Sequence, residues 1–489
     1  MNLFTKLISI LFLLSTLINF ADSQTVYTWN GSVSSNFSAA GNWTPFRQIG
    51  LVNDILVFEN SGNLNVTNVY QVTIGQLIIR NNTNLTLSPA SGNAKVLTIK
   101  GTAIGEDFAI EPGSSLRIQG NDPSLNLYLS TGATASIKGS LSLEGTISHN
   151  LNAADPMAVR FQSGSTFTQL CPGNIFNTTG ANNAIVFESG SIFRINHANA
   201  SNPFGLAAPN SKVMFQNSSS LILSSIGSIQ LAGRTIAYLT VEQGTIVNIS
   251  ESFTSDINVS NITINNGAIF SIKNTNPNYI PSLNISGNIK VNGTFKFSDD
   301  ATSKFNIKFN GSTLQDIAGT GTILIPSNLN RFELLNSISL NKDLAVNCPI
   351  VMNRYEIIKN GFEFTFNPEF GNPFNGSKTS TGSENAAAEN GLTDNSINPN
   401  LPADYSISQN YPNPFNPSTK IDFSLPQDAK VTIKVFDITG KEAANLVNSD
   451  MNAGNHSISF NASNLSSGIY FYTISAGNFS KTMKMILTK

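Results

Sequence analysis

The sequence predicts an all-β protein: a parallel β-helix or β-solenoid, then a linker, then a small antiparallel sandwich of immunoglobulin type. Three observations carry this. A short unit of turn plus strand recurs about every 25 residues through the middle of the chain. The segment 371–404 loses all strand periodicity. The last 85 residues hold short alternating strands separated by turn residues at intervals of roughly ten.

The chain has 489 residues, a formal net charge of −2, only 12% charged residues and 40% hydrophobic ones. That length allows two or three domains. A low charge content with abundant Asn, Ser, Thr and Gly suits an extracellular β-rich protein whose polar faces are amides and hydroxyls. Lys and Arg are not clustered, so nucleic acid is not expected as a partner.

At the N-terminus, Lys6 precedes the apolar run Leu7 to Phe20 and the small-residue site Ala21-Asp22-Ser23. The run is too short to cross a bilayer, and residues 1–23 read as a cleaved signal peptide. No later apolar run has spanning length, so no transmembrane span is expected after signal removal. Residues 24–50 contain both tryptophans, Trp29 and Trp43. They predict a cap in which the indoles cover the first coil, since an open solenoid end exposes unpaired backbone; the alternative is a sugar-stacking platform.

Residues 51–370 carry the repeat: Gly, then Ser, Thr or Ala, one free position, then apolar, polar, apolar. Copies begin at Gly113, Gly132, Gly164, Gly190, Ser218, Gly244, Gly267 and Gly293. Glycine admits the left-handed turn, and alternation sends every second side chain inward. One inward column is predicted as Leu116, Ala135, Phe167, Phe193, Leu221, Val247 and Phe270. The second is Ile118, Ile137, Gln169, Ile195, Leu223, Ile249 and Ile272, with mostly polar residues between. Cys171 and Cys348 fit either one disulfide or two buried thiols.

Residues 371–404, including Lys378 to Glu389, have little to bury and read as a flexible linker. Residues 405–489 begin with an arm, Tyr411-Pro412-Asn413-Pro414-Phe415-Asn416-Pro417, whose prolines cannot donate to a ladder and so demand an edge or extended path. Strands at 421–425, 431–436, 456–460, 469–474 and 481–487 follow, with turn glycines at Gly440 and Gly454, then the Ser-Gly-Ile-Tyr element with Gly468 and Tyr470, and the chain stops at Lys489.

That run of motifs closely resembles the type A sorting domain of cargo secreted by the type IX system of Bacteroidetes and related bacteria. The resemblance implies two export signals, recognition by the outer-membrane translocon, removal of the tail within 371–404 by sortase-like processing machinery, and a secreted or outer-surface destination. It implies no chemistry.

Catalytic residues are not found. A glycosidase needs two carboxylates across a cleft, roughly 5 to 10 Å apart. The adjacent acids Glu106-Asp107 and Asp299-Asp300 sit beside turn-like residues, and solvated turns explain them. Asp299 and Asp300, near Lys304, remain as candidates for a calcium or sugar contact. His149, His197 and His456 stand apart, no ligand spacing for a metal is present, and no cofactor is implied. The reading is an adhesin-like or structural surface rod with a glycan or matrix ligand; the alternative is a polysaccharide lyase or glycosidase built on the same coil.

Overall fold

The computed structural model describes residues 24–48, 50–101, 106–227, 229–352, 355–370, 405–410, 412–425, 428–438, 441–452, 454–477 and 479–488. The predicted signal peptide at 1–23, the linker at 371–404, Tyr411, Gly440 and Lys489 lie outside them. No α-helix occurs among the described residues, and the fold is an all-β solenoid with a C-terminal antiparallel sandwich. The chain separates into two compact units.

In the first unit each coil supplies successive short strands, and each strand pairs in parallel with its equivalent one coil on. A representative coil runs Phe108–Ile110, Ser115–Gln119 and Leu125–Leu129. The next runs Ala135–Ile137, Ser140–Glu144 and Leu151–Ala153, in direct register with it. On the second face Leu116, Leu141, Phe167, Phe193, Leu221, Leu239, Ile262 and Ile289 stack in one unbroken column. Alternate residues in these strands are fully buried, as a pleat requires.

This corrects the predicted columns. Leu116, Phe167, Phe193 and Leu221 share a column, but its member between the first two is Leu141, because Ala135 and Ile137 belong to the first face with Phe108 and Val159. Val247 and Phe270 belong to a separate ladder with Phe295. The physical reason is that a glycine turn precedes strands on more than one face, so the same short unit recurs out of phase with the coil. From Leu116 to Leu221 the spacing on the second face is 25, 26, 26 and 28 residues.

Gln169 was the one polar residue in the second predicted column, and it is completely buried. Its Nε2 donates to the carbonyls of Cys171 and Gly173 at 3.0 Å each. The third face loses its strand here: after Leu151–Ala153 the following coils pass through loops until Ile246–Glu251 opens a new ladder. An amide side chain thus takes over carbonyls that a ladder would otherwise satisfy. Two buried cations hold the same loops. Lys212 Nζ donates to Gly180 O at 2.8 Å, and the Arg234 guanidinium lies 4.5 Å from the Phe204 ring centre.

The turn chemistry follows the repeat. Gly113, Gly164, Gly190 and Gly244 have φ between 72° and 81°, and Ser218, which replaces glycine, adopts 66°. Gly293 differs: its φ is not left-handed, but a Cβ there would lie 2.2 Å from Ala268 O and 2.5 Å from Asn265 O. It is required by the close approach of consecutive coils.

Both cysteines are free and buried, and burial pushes their thiols up to about 11 for Cys171 and about 12 for Cys348. They are packing residues and form no disulfide.

The two kinds of glycine predict different costs. Gly293→Ala should lower the stability of the full chain by about 3 kcal/mol, because backbone atoms of the preceding coil must move. Gly132→Ala, at φ 83° with open space around its Cβ, should cost only about 1 kcal/mol. Urea unfolding midpoints of the two variants check this; equal losses would contradict the close-approach argument.

Candidate functional site

The tryptophans are not a sugar platform. Trp29 and Trp43 are 1% and 2% exposed, and their rings meet edge to face at 5.0 Å above Phe58. Val26–Trp29 pairs with Ile55–Phe58 in parallel and with Trp43–Thr44 antiparallel, which closes the first face. Beneath them the buried Arg47 forms an ion pair with Asp54 at 2.8 Å and packs 5.5 Å from the Trp43 ring. These contacts describe a cap.

Several outward-facing charges on the coils are matched along the solenoid axis. Arg80 pairs with Glu59, Arg117 with Glu144, Arg160 with Glu188 and Lys308 with Glu333, each bridging neighbouring coils. Arg194 reaches further, to Glu242. Amides and hydroxyls do likewise: Asn284 donates to Asn258 at 3.0 Å, Asn330 to Asn306 at 2.6 Å, and Ser115 to Asn84 at 2.9 Å. Single exposed pairs contribute at most about 1 kcal/mol each. Their collective effect is to bind charge and polarity into the rod.

Asp299 and Asp300, adjacent in sequence, have different surroundings. Asp300 accepts from Lys273 Nζ at 2.8 Å and from Thr302, and the Lys273 hydrogen bond holds its carboxyl well below the usual carboxylate range. Asp299 is exposed and lines a groove of about 630 Å³ on the third face. The groove crosses the ladder of Ile246–Glu251, Ile269–Asn274, Thr294–Phe297 and Thr322–Leu324, and it also meets Lys273 and Lys296. Lys304 turns instead to Asn328 O at 2.9 Å.

A smaller groove, about 310 Å³, lies further along the coil and holds Lys342, Asp343 and Glu363. Asp343 and Glu363 occupy equivalent positions one coil apart, immediately before the paired residues Leu344 and Phe364, and the Glu363 N–H donates to Asp343 Oδ1 at 2.9 Å. Lys342 is buried and donates to Gly321 O. Adjacency in sequence does not reveal this pair; a one-coil separation does.

Among the described residues no group of three His, Cys, Asp or Glu side chains is placed to hold a metal ion. His149 is wholly buried, with Nδ1 accepting the Leu125 N–H at 3.0 Å and Nε2 facing Gly120 O at 3.2 Å, and burial pushes its pKa down. It is a neutral corner brace. His197 accepts the Asn199 N–H, and His456 stacks on Phe423 at 5.3 Å.

In the second unit, Ser418–Leu425 and Gly454–Asn461 form one antiparallel sheet with Ser406–Ile407. Glu442–Met451, Ala429–Asp437, Gly468–Ala476 and Phe479–Leu487 form the other. Ile421, Phe423, Val431, Ile433, Tyr472, Ile474 and Leu487 fill the core between them. The proline arm packs along the last strand. Asn413 Oδ1 accepts the Ile486 N–H at 2.9 Å, Phe415 N–H donates to Ile486 O at 2.9 Å, and Thr488 N–H returns to Phe415 O. Pro414 follows a cis bond, Phe415 is buried in the core, and Asn416 and Pro417 lead into the first long strand, where Ala462 N–H donates to Pro417 O. Pro412 O accepts from Asn410 Nδ2 and Thr419 Oγ1. Tyr470 OH donates to Ser466 O at 2.8 Å, and Gly454 and Gly468 open strands.

Residues 409–488 match the family described as the secretion system C-terminal sorting domain. The chain is type IX secretion cargo. No curated protein and no solved structure matches it. The sorting domain implies engagement with the type IX machinery and export out of the cell or to its outer surface. No helix among the described residues is long and apolar enough to cross a membrane.

Tyr472 fastens this domain's arm. Its buried hydroxyl donates to Ser408 O at 2.7 Å and accepts the Asn410 N–H at 2.8 Å. Tyr472→Phe should destabilise the sandwich by about 2 kcal/mol, since a buried backbone N–H and C=O lose their partner. Hydrogen exchange of Ser418–Leu425 in the full chain reads this. In the producing bacterium, a chain ending at Asn400 should stay inside the outer membrane, and unchanged surface delivery would contradict the sorting role.

Proposed function

We propose that the exported cargo works as an adhesin-like or structural surface module, with the solenoid as a rigid rod that makes weak, repeated contacts with glycans or matrix. The observation that carries this is the axial pairing of outward groups: ions, amides and hydroxyls are bound into cross-coil ladders, which stiffen the rod and leave shallow polar faces. Weak contacts on such faces gain strength through multiplicity. The N-terminal segment would direct passage to the periplasm, and the translocon and a sortase-like enzyme would act on the C-terminal domain and the linker before it. Catalysis is not part of this reading.

A second reading, a carbohydrate-active enzyme, has one observation in its favour: Asp343, Glu363 and Lys342 share a groove. Against it, the Lys342 ammonium is held by a backbone carbonyl.

Incubating the exported protein with cell-surface and plant polysaccharides separates the two. The expected result is retention on polysaccharide with no unsaturated or reducing ends released, and the same retention in the Asp343→Asn, Glu363→Gln variant. Release of such ends by the wild type and its loss in the variant would establish the enzyme.

A further inference from the structure

The larger groove on the third face is more than a polar surface. Its floor is set by register: Asn248, Ser271, Lys296 and Leu324 stand at equivalent outward positions in four consecutive coils. The first two are joined, Ser271 Oγ donating to Asn248 Oδ1 at 2.5 Å. Leu324 is 49% exposed and supplies an apolar surface at the other end. Between them lies Lys296, half-buried in the groove floor.

Lys296 is set apart by its place: Lys100, Lys138, Lys290, Arg331 and Lys359 also lack an ion pair among the described residues, but none of them lines this groove. The other groove cation, Lys273, is neutralised by Asp300 at 2.8 Å. Lys296 forms no ion pair or hydrogen bond among the described residues, and Asp299, which lines the same groove, is exposed and lies outside ion-pair distance of it. A half-buried lysine whose ammonium has no counter-ion is a seat for an anion, because charge-assisted hydrogen bonds to it are stronger than those between neutral groups. Strands stacked at about 4.8 Å make the four-coil floor roughly 14 Å long, enough for several linked sugars lying along the axis.

We propose that this groove binds an extended acidic polysaccharide, with a sugar carboxylate on Lys296, hydroxyls on Asn248 and Ser271, and the C–H face of a ring against Leu324. The assignment rests on the adhesive reading above and gives it one site and one ligand class. Amides and hydroxyls match sugar hydroxyls, Leu324 matches the apolar ring face, and the unneutralised Lys296 selects acidic over neutral chains.

The test measures affinity of the exported protein for a short oligogalacturonate and for a cello-oligosaccharide as its neutral counterpart. Oligogalacturonate should bind, more weakly as salt rises, and the neutral chain should bind at least about tenfold more weakly. Lys296→Ala should lose about tenfold in oligogalacturonate affinity, and Lys296→Arg should retain most of it. Lys290→Ala, an exposed cation on the neighbouring face, should bind as the wild type does. Wild-type affinity in Lys296→Ala, or equal binding of the neutral chain, overturns the proposal. Retention of both wild type and Lys296→Ala on polysaccharide would remove this site while leaving the adhesive reading intact; a wild type that holds to no polysaccharide ends both.

Discussion

Everything in the solenoid depends on parallel register between consecutive coils. A strand that slips by one residue turns its entire inward set outward, so each coil must bring Leu116, Leu141, Phe167 and their successors to one level. Aromatic stacking tightens the requirement in the middle of the rod, where Phe161, Phe187 and Phe215 lie face to face at 4.7 and 5.3 Å. Coils close enough for such stacking leave no room for a Cβ at Gly293. The same closeness puts outward residues in hydrogen-bonding reach of their equivalents. Cross-coil ladders of Asn, Ser and ion pairs are thus a consequence of the core and not a separate device.

That constraint also shapes what a surface of this kind can do. A rod that ties several of its charges into axial pairs makes contact through hydrogen bonds and through places where pairing fails. Lys296 in its groove and the stacked Asp343 and Glu363 are such places. The sorting sandwich follows a different rule. Its stability comes from a closed core, and its proline arm is tied to the last strand through Asn413, Phe415 and Tyr472. The segments that carry the family resemblance therefore meet in space although they lie more than seventy residues apart.

Much of the fold was legible because period-two alternation and turn glycines are local signals. Even Ser218 was legible as a glycine substitute, and it takes the expected left-handed turn. The inward columns were only half legible. A triangular coil uses similar turns at different corners, so Ala135 and Phe270 matched the motif while belonging to other faces. Gln169 was visible as an exception, but its role at a corner without a strand needed the structure. The grooves were hidden for a related reason: Asn248, Ser271, Lys296 and Leu324 meet through coil spacing, not sequence adjacency. Asp299 and Asp300 drew notice by adjacency, and one of them proved to be tied to Lys273.

The central claim is that the coil is the structural unit and that register alone joins one coil to the next. Removing Ser140–Ser165 would join Gly139 to Thr166 and replace each lost position with its registered equivalent, Ser140 with Thr166 and Leu141 with Phe167. Measuring the circular dichroism and thermal unfolding of this deletion in the full chain is the most direct test. The account predicts a folded, cooperative protein of unchanged β character, shorter by one coil. Loss of β structure, or collapse of the unfolding transition, would contradict it.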